Sequence, residues 1–223
     1  SWGVELNHNI GTKATECFHK MLTGDIRGLL IFGEDPMRTD PNTKHVLKAL
    51  SALDFLVVDE LFMTETAKLA DVILPGRSFA EKEGTFTNTE RRVQRVRKAI
   101  DVEGDTRLDT WIFTELMNRM GYPQPHLTAA QIMDEIASVT PSFAGMSHER
   151  LDSDEVAGRG LQWPCRGKDQ PGTPILHVGK FARGKGKFIP TEYVPSMEQP
   201  DEDYPMIMMT GRILYHYNAM AMT

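Results

Sequence analysis

Small and acidic residues follow a short apolar run, where they could bind a polar ligand. Residues 28–32 form the run, and Gly33, Glu34 and Asp35 come directly after it. In open α/β sheets, ligands bind at the carboxyl ends of strands, and a glycine lets a ligand approach the backbone closely. The three residues therefore predict a ligand-binding turn, for which an ordinary strand-to-helix turn is the alternative. The glycine fingerprint of a standard NAD site is absent.

A second acidic pair, Asp59 and Glu60, follows the next apolar run, residues 55–58. A carboxylate in this position can accept hydrogen bonds from ribose hydroxyls or from the edge of a guanine base. Thr64 follows shortly after the pair and could contact a phosphate or cap the next helix. A solvated acidic loop with a threonine cap is equally compatible with these residues.

A third polar group, Arg212, His216 and Asn218, follows the apolar run 206–210 near the end of the chain. Together these side chains supply donors and acceptors suited to a polar heterocycle or a phosphate. A surface loop in which His216 finds a local partner is the alternative interpretation.

A polar loop over residues 81–90 leads into a run of cations between residues 91 and 98. Polar loops on rigid scaffolds often carry function, but a solvated turn would have the same composition. The cations are Arg91, Arg92, Arg95, Arg97 and Lys98. Because no aromatic residues are interleaved with them, a charged strand face, or a face that meets another subunit, is favoured over a nucleic-acid surface.

Other chemistry is poorly represented. The 223 residues include only two cysteines, Cys17 and Cys165, which excludes a disulfide framework and a self-contained CxxC metal site. We find no Walker motif and no nucleophile elbow, so we assign no catalytic residue and no metal ligand. The formal net charge of −6 gives no reason to expect a nucleic-acid partner. No apolar run is long enough for a membrane span and no signal peptide is visible, so we expect a cytoplasmic protein.

The elements that must position these residues alternate between strand and helix. Strands are predicted at 28–32, 55–58 and 72–74, with helices before and between them over 15–23, from 41 to 53 and over 64–70. This order predicts an α/β fold with a three-layer parallel-sheet domain, because right-handed crossovers place helices on both faces of the sheet. Amphipathic helices follow at 108–120 and 128–139.

The domain organisation predicted from these patterns has three parts. Residues 1–120 form the α/β domain, residues 121–200 form a helical and irregular connector, and residues 201–223 begin a β-rich carboxy-terminal domain with a first strand at 206–210. The chain starts at Ser1 without a methionine and stops at Thr223 after an apolar run. We therefore expect it to be a piece of a longer protein.

Several of these segments, in this order, resemble the molybdopterin-guanine-dinucleotide oxidoreductases, and within them the catalytic subunits of formate dehydrogenases. The segments that carry the resemblance are Leu30 to Pro36, Val57 to Ala67, Ala70 to Pro75, Glu81 to Gln94, Gln162 to Cys165 and Thr210 to Thr223. They extend over nearly the whole chain.

The resemblance implies a bis-molybdopterin guanine dinucleotide cofactor with molybdenum or tungsten, and a 4Fe-4S cluster held upstream of these residues. It implies formate as the substrate and electron-transfer subunits as partners. It also implies a role for each group of polar residues. Gly33, Glu34 and Asp35 would line a guanosine-phosphate arm, Asp59 or Glu60 would hold the guanine or ribose with Thr64 nearby, and Arg212, His216 and Asn218 would approach the pterins.

Two features depart from the resembled family. Many relatives have Gln-Asp where this chain has Asp59-Glu60, and neither cysteine matches the metal ligand or the cluster ligands. The chain alone is therefore expected to be inactive. A nitrate-reductase-like enzyme and the large iron–sulfur subunit of a respiratory NADH dehydrogenase are alternatives within the superfamily. A docking module for an electron-transfer partner, with residues 91–98 as its contact face, is an alternative of another class.

Overall fold

The computed structural model describes residues 5–102, 104–209 and 211. The chain divides into two compact units, Ser1–Pro174 and Ile175–Thr223. Within the described part of the first unit, the helices are α1 (Ala14–Leu22), α2 (Pro36–Thr39), α3 (Thr43–Leu50), α4 (Asp109–Arg119), α5 (Ala129–Val139) and α6 (His148–Asp152). The strands are β1 (Gly28–Phe32), β2 (Phe55–Glu60), β3 (Val72–Pro75), β4 (Gly84–Thr87), β5 (Arg92–Val96) and β6 (Leu161–Gln162).

A parallel sheet with the order β1-β2-β3 forms the first layer, as the strand–helix alternation predicts. The sheet is in register at its carboxyl end, where Phe32 pairs with Asp59 and Asp59 with Leu74. Apolar residues of α1 and α3, such as Met21, Val46 and Leu50, pack with Ile31, Leu56 and Val58 of the strands in one core. Burying each of these side chains contributes about 1.5–3 kcal/mol, so this core fixes the positions of the strand ends.

Helix α4 lies against the opposite face of the sheet. Phe113 of α4 contacts Phe32 edge-to-face, with ring centroids 5.0 Å apart. Phe32 and the buried Ile31 are adjacent in β1, so their side chains point to opposite faces. The α/β fold is as predicted, with α1 and α3 covering one face. The other face is only partly covered, because Leu30 and Phe32 remain 39% and 45% exposed beside α4. The predicted helix over 64–70 is a short 3-10 turn, Ala67–Leu69.

An antiparallel sheet with the order β4-β5-β6 forms a second layer in the same unit. The prediction of a plain loop over 81–90 is wrong for residues 84–87, which form β4. Thr85, Phe86 and Thr87 are β-branched or aromatic, and they favour a strand once β5 is available to pair. The turn lies further along, where the Asn88 side chain accepts hydrogen bonds from the backbone N–H groups of Glu90 and Arg92.

The region predicted as an irregular connector contributes a second core. Its buried residues are Val93, Met133, Met146, Leu151, Val156, Leu161 and Cys165, drawn from β5, α5, α6 and the segments around them. Arg150 stabilises this layer through hydrogen bonds from its guanidinium to the carbonyls of Gly145 and Gly167. Irregular backbone up to residue 174 is thus packed, and its order comes from long-range contacts that local patterning does not reveal.

The second unit has little regular structure in its described residues. Residues 177–209 are all exposed. The predicted strand at 206–210 is not formed over 206–209, because no neighbouring strand supplies hydrogen bonds to that segment among the described residues. Thr210 lies outside the described residues. Among the residues that are described, no helix has the length and apolar character needed to cross a membrane.

Candidate functional site

The carboxyl ends of β1, β2 and β3 meet at one edge of the parallel sheet. The backbone N–H of Gly33 donates to the carbonyl of Asp59 at 2.9 Å, and the N–H of Gly76 donates to the carbonyl of Glu60 at 3.2 Å. Both predicted acidic groups therefore lie at this edge, with Gly76 beside them. We call it the carboxyl edge.

Asp59 is the most unusual residue of the carboxyl edge. Its side chain is 2% exposed, and its Oδ2 atom has no hydrogen-bond partner among the described residues. The pKa of Asp59 is raised from 3.8 to about 6, chiefly by burial and also by the negative charges of Asp109 and Glu60, while the charge of Lys82 opposes the shift. An unpaired, buried carboxylate oxygen is costly, because nothing replaces the water that it loses on folding. The atom is well suited to accept a hydrogen bond from a ligand.

Two neighbours of Asp59 were not among the residues selected from the sequence. Asp109, at the start of α4, is ion-paired with Lys82 Nζ, and both are partly buried. Gly76 is buried against the acids: a Cβ atom there would lie 2.8 Å from Asp59 Oδ1 and 3.2 Å from Asp109 Oδ1. A side chain at position 76 would therefore displace the two carboxylates from their present positions.

Asp35 has a different role from Asp59, although it is equally buried. Its Oδ1 atom accepts hydrogen bonds from the backbone N–H of Thr66 at 3.0 Å and from the Thr66 hydroxyl at 2.5 Å. The Thr66 hydroxyl oxygen in turn accepts from the backbone N–H of Met37 at 3.1 Å. These bonds join the loop after β1 to the loop after β2. In this geometry Asp35 has a structural role, because it fixes the two loops of the carboxyl edge relative to each other.

The remaining predicted residues of the edge have local partners or are exposed. Gly33 adopts a φ of +61°, a left-handed conformation that favours glycine. Glu34 is exposed. The Glu60 carboxylate accepts from the backbone N–H of Leu61 at 2.7 Å. The hydroxyl oxygen of Thr64 accepts from the backbone N–H of Ala67 at 3.1 Å, which is the cap that the sequence offered as an alternative.

The third predicted group lies outside the described residues. Arg212, His216 and Asn218 all fall within 212–223, so the structure does not test their predicted role.

The cations of residues 91–98 are engaged within the chain. Arg91 donates to the carbonyls of Trp163, Thr173 and Pro174, the latter two at 2.9 and 3.0 Å. Arg95 and Arg97 both pair with Asp152, and the remaining two, Arg92 and Lys98, pair with Glu90 and Asp101. This agrees with the predicted charged strand face. The geometry gives no support to a docking face made of these cations.

The chemistry of the carboxyl edge is that of recognition. Among the described residues, no group of three or more His, Cys, Asp or Glu side chains is placed to hold a metal ion. Carboxylate oxygens at the ends of parallel strands instead suit a ligand that presents adjacent N–H or O–H donors. A guanine base has such donors on one edge, and a ribose has them in its hydroxyl groups.

Comparisons with known proteins place the chain in a family. Residues 3–119 match the family model described as molybdopterin oxidoreductase. The chain is 51% identical to the alpha subunit of F420-dependent formate dehydrogenase 2 from Methanococcus maripaludis, over 99% of this chain and 32% of that protein. It is 46% identical to the alpha subunit of the F420-dependent formate dehydrogenase from Methanocaldococcus jannaschii, over 100% of this chain and 33% of that protein. The chain thus spans about a third of the length of these curated relatives.

A solved structure also resembles this chain. Acetylene hydratase from Pelobacter acetylenicus matches with a TM-score of 0.51 and 24% identity, over 60% of this chain and 19% of that chain. At this level of identity, the likeness shows the fold alone. It supports the α/β architecture predicted from the strand–helix alternation.

Proposed function

The chain belongs to the molybdopterin oxidoreductase family, and from that premise we propose that it is part of a formate dehydrogenase catalytic subunit, in which the carboxyl edge binds the guanosine end of the cofactor. The 51% identity to a formate dehydrogenase alpha subunit over almost the whole chain supports the choice of substrate within the family. The proposal includes the cytoplasmic location expected from the sequence.

The unpaired Oδ2 atom of Asp59 is the observation that carries the proposal. The N1–H and the exocyclic amino group of guanine are adjacent donors, and an ionised carboxylate can accept from both. Asp109, beside Asp59, offers a second acceptor, and its pairing with Lys82 limits the repulsion between the two acids. The residues therefore fit the guanine end of a molybdopterin guanine dinucleotide.

Gly76 and Gly33 add no side chain to the carboxyl edge. A side chain at position 76 would occupy the space next to both carboxylates. The left-handed φ of Gly33 turns the chain away from the strand end directly after β1. Asp35 fixes the two loops relative to each other through Thr66, and Glu34 is exposed beside it, where it could face a ribose.

In the proposed whole enzyme, the cofactor is the bis-molybdopterin guanine dinucleotide, which supplies the molybdenum or tungsten centre where formate loses two electrons and a proton to become carbon dioxide. Residues of this chain bind and orient the dinucleotide, and Arg212, His216 and Asn218 would approach the pterins. The 4Fe-4S cluster and the catalytic residues would belong to other parts of the subunit, with electron-transfer subunits as partners.

Guanosine binding tests the proposed role of the carboxyl edge. We expect the 223-residue chain to bind guanosine in preference to adenosine, because adenine presents an acceptor at N1 where guanine presents a donor. Asp59→Asn should weaken guanosine binding about 10- to 100-fold, since charge-assisted hydrogen bonds contribute about 1.5–3 kcal/mol. Isothermal titration calorimetry at pH 7.5 would measure both effects.

Asp154→Asn is the matched control, because Asp154 is an exposed acid distant in sequence from the edge. It should leave guanosine affinity unchanged. Equal binding of guanosine and adenosine by a folded chain would contradict the proposed base recognition.

The proposed substrate needs a separate test on the intact subunit. Formate should reduce an artificial electron acceptor when the whole enzyme is present, and the 223-residue chain alone should give no turnover. An intact enzyme that reduces nitrate and leaves formate unchanged would instead favour the nitrate-reductase-like alternative.

A further inference from the structure

Arg77, directly after β3, has an incompletely satisfied guanidinium group. Its Nε atom is buried and has no hydrogen-bond partner among the described residues. Its Nη2 atom donates to the carbonyl of Thr106 at 3.3 Å, which is longer than the usual N–H···O distance. Among the described residues, Arg77 forms no ion pair within 4.0 Å. A cation that is partly removed from water without an anionic partner is unfavourable, so the arrangement lacks a counter-ion.

The Thr106 side chain also lacks a hydrogen-bond partner. Its Oγ1 atom is also buried without a partner in the described residues. The carboxylate of Glu81, which interacts electrostatically with Arg77, is already engaged by the backbone N–H and the hydroxyl of Ser78, at 2.9 and 2.8 Å. Two unpartnered polar atoms, a guanidinium N–H and a hydroxyl, thus lie on neighbouring loops and lack an acceptor that they could share.

This pair adjoins the carboxyl edge. Arg77 follows Gly76, which packs against Asp59, and the backbone N–H of Arg107 donates to the carbonyl of Pro75 at 3.0 Å. The loop that carries Thr106 leads within three residues to Asp109, the neighbour of Asp59. The unpaired Nε donor thus belongs to the residue that follows Gly76 in the chain, and the unpaired Oδ2 acceptor belongs to Asp59, which lies against Gly76.

We propose that Arg77 and Thr106 bind a phosphate group of the nucleotide whose base is held by Asp59. This inference rests on the proposed function and assigns the phosphate side of the site, which the sequence motifs left to residues 33–35. A phosphate oxygen can accept from Arg77 Nε and from the Thr106 hydroxyl together. The planar guanidinium fork of arginine matches phosphate geometry, and the negative charge of a phosphate in the dinucleotide's pyrophosphate bridge supplies the missing counter-ion.

The test compares guanosine, GDP and inorganic pyrophosphate as ligands of the full chain. We expect GDP to bind at least about tenfold more tightly than guanosine, because charge-assisted contacts to phosphate are added. Arg77→Gln should remove that advantage and leave guanosine affinity unchanged. Thr106→Val should reduce the advantage of GDP over guanosine in part. Arg77→Lys should keep only the part of this advantage that comes from the positive charge. Arg119→Gln, at an exposed position on α4, is the control that removes a cation elsewhere.

Each outcome separates this inference from the proposed function. If Arg77→Gln binds GDP as tightly as the wild type does, the phosphate assignment is wrong and the guanine site stands. If the wild type binds pyrophosphate through Arg77 and does not bind guanosine, the phosphate site stands and the proposed function is wrong. If Arg77→Gln weakens guanosine and GDP equally, Arg77 acts on the base site, and the inference fails. Circular dichroism and urea unfolding of each variant would establish that it is folded.

Discussion

Two acids at the carboxyl edge, Asp35 and Asp59, are both almost completely buried but have opposite surroundings. Asp35 accepts two hydrogen bonds from Thr66, whereas Asp59 Oδ2 accepts none among the described residues. Sequence position identifies both acids, because Asp59 lies at the carboxyl end of a parallel strand and Asp35 lies shortly after one. It cannot distinguish their roles, since the partner Thr66 is 31 residues away from Asp35 and is positioned only by folding.

The raised pKa of Asp59 predicts a pH-dependent stability. The folded-state value of about 6 lies above the value of 3.8 for an unperturbed carboxyl. The native state therefore binds a proton more tightly than the unfolded state, and the free energy of unfolding falls as the pH rises from 4 to 6. Asp59→Asn should remove this loss and raise stability at pH 8 by up to about 3 kcal/mol, with little effect at pH 4.

Urea unfolding of wild type and Asp59→Asn at pH 4 and pH 8 would measure the difference. Guanosine affinity of the wild type should rise over the same pH window, because the ionised carboxylate is the better acceptor. A variant that is destabilised equally at both pH values would show that Asp59 is an ordinary structural residue.

The role assigned to Asp35 predicts a large cost for removing its partner. Thr66→Val keeps the shape of the side chain but deletes the hydroxyl that donates to Asp35 and accepts from Met37. We expect a loss of about 2–3 kcal/mol in the free energy of unfolding, because a buried carboxylate loses one of its hydrogen bonds. Thr64→Ala removes only the hydroxyl that accepts from the backbone N–H of Ala67, and it should lower the free energy of unfolding by about 1 kcal/mol. Equal costs in urea unfolding would contradict the structural role of Asp35.

At the scale of elements, local patterning predicts the parallel sheet well. Each of the three strands is a short apolar run between helical segments, and the observed bounds of β1 match the prediction. Local patterning does not predict the antiparallel sheet, because β4 is short and polar, and β6, which pairs with β5, lies 65 residues beyond β5 in the chain. Asp109 was missed for a similar reason: it lies at the start of a helix, and only the tertiary fold brings it to Asp59.

The packing of β5 against the following segment predicts an unequal effect of two glycine substitutions. Gly158 and Gly160 both have a positive φ, at +75° and +69°. A Cβ atom at Gly160 would lie 2.4 Å from the carbonyl oxygen of Val93, whereas a Cβ at Gly158 would meet nothing within 4 Å. Gly158→Ala should cost about 1–2 kcal/mol for backbone strain alone. Gly160→Ala should cost clearly more, because the backbone of β5 must move.

Thermal unfolding of the two alanine variants would measure this difference. Gly158→Ala serves as the matched control for the left-handed backbone. If both variants lose the same stability, the contact between Gly160 and Val93 does not constrain the antiparallel sheet.

At the scale of the whole molecule, the buried residues and the carboxyl edge belong to the first unit. In the described part of the chain, the residues that form the two hydrophobic cores lie between positions 21 and 165. The apolar residues of 206–209 are exposed, as are all residues from 177 to 209. The connector predicted over residues 121–200 is packed as far as residue 174, because Arg91 donates hydrogen bonds to the carbonyls of Thr173 and Pro174.

Ending the chain after Pro174 should therefore preserve both stability and base recognition. Residues beyond this point bury little apolar surface in the described structure, so their removal should change the free energy of unfolding by less than about 1 kcal/mol. Guanosine affinity should also be retained, since Asp59, Gly76 and Asp109 all precede the cut. Urea unfolding and calorimetry of the truncated and full chains would measure both quantities.

Ending the chain after Gly160 instead would delete β6 and Cys165 from the second core, and this shorter chain should unfold at a much lower urea concentration. A large loss of guanosine affinity in the Pro174 truncation, with stability unchanged, would mean that the base site needs residues of the second unit.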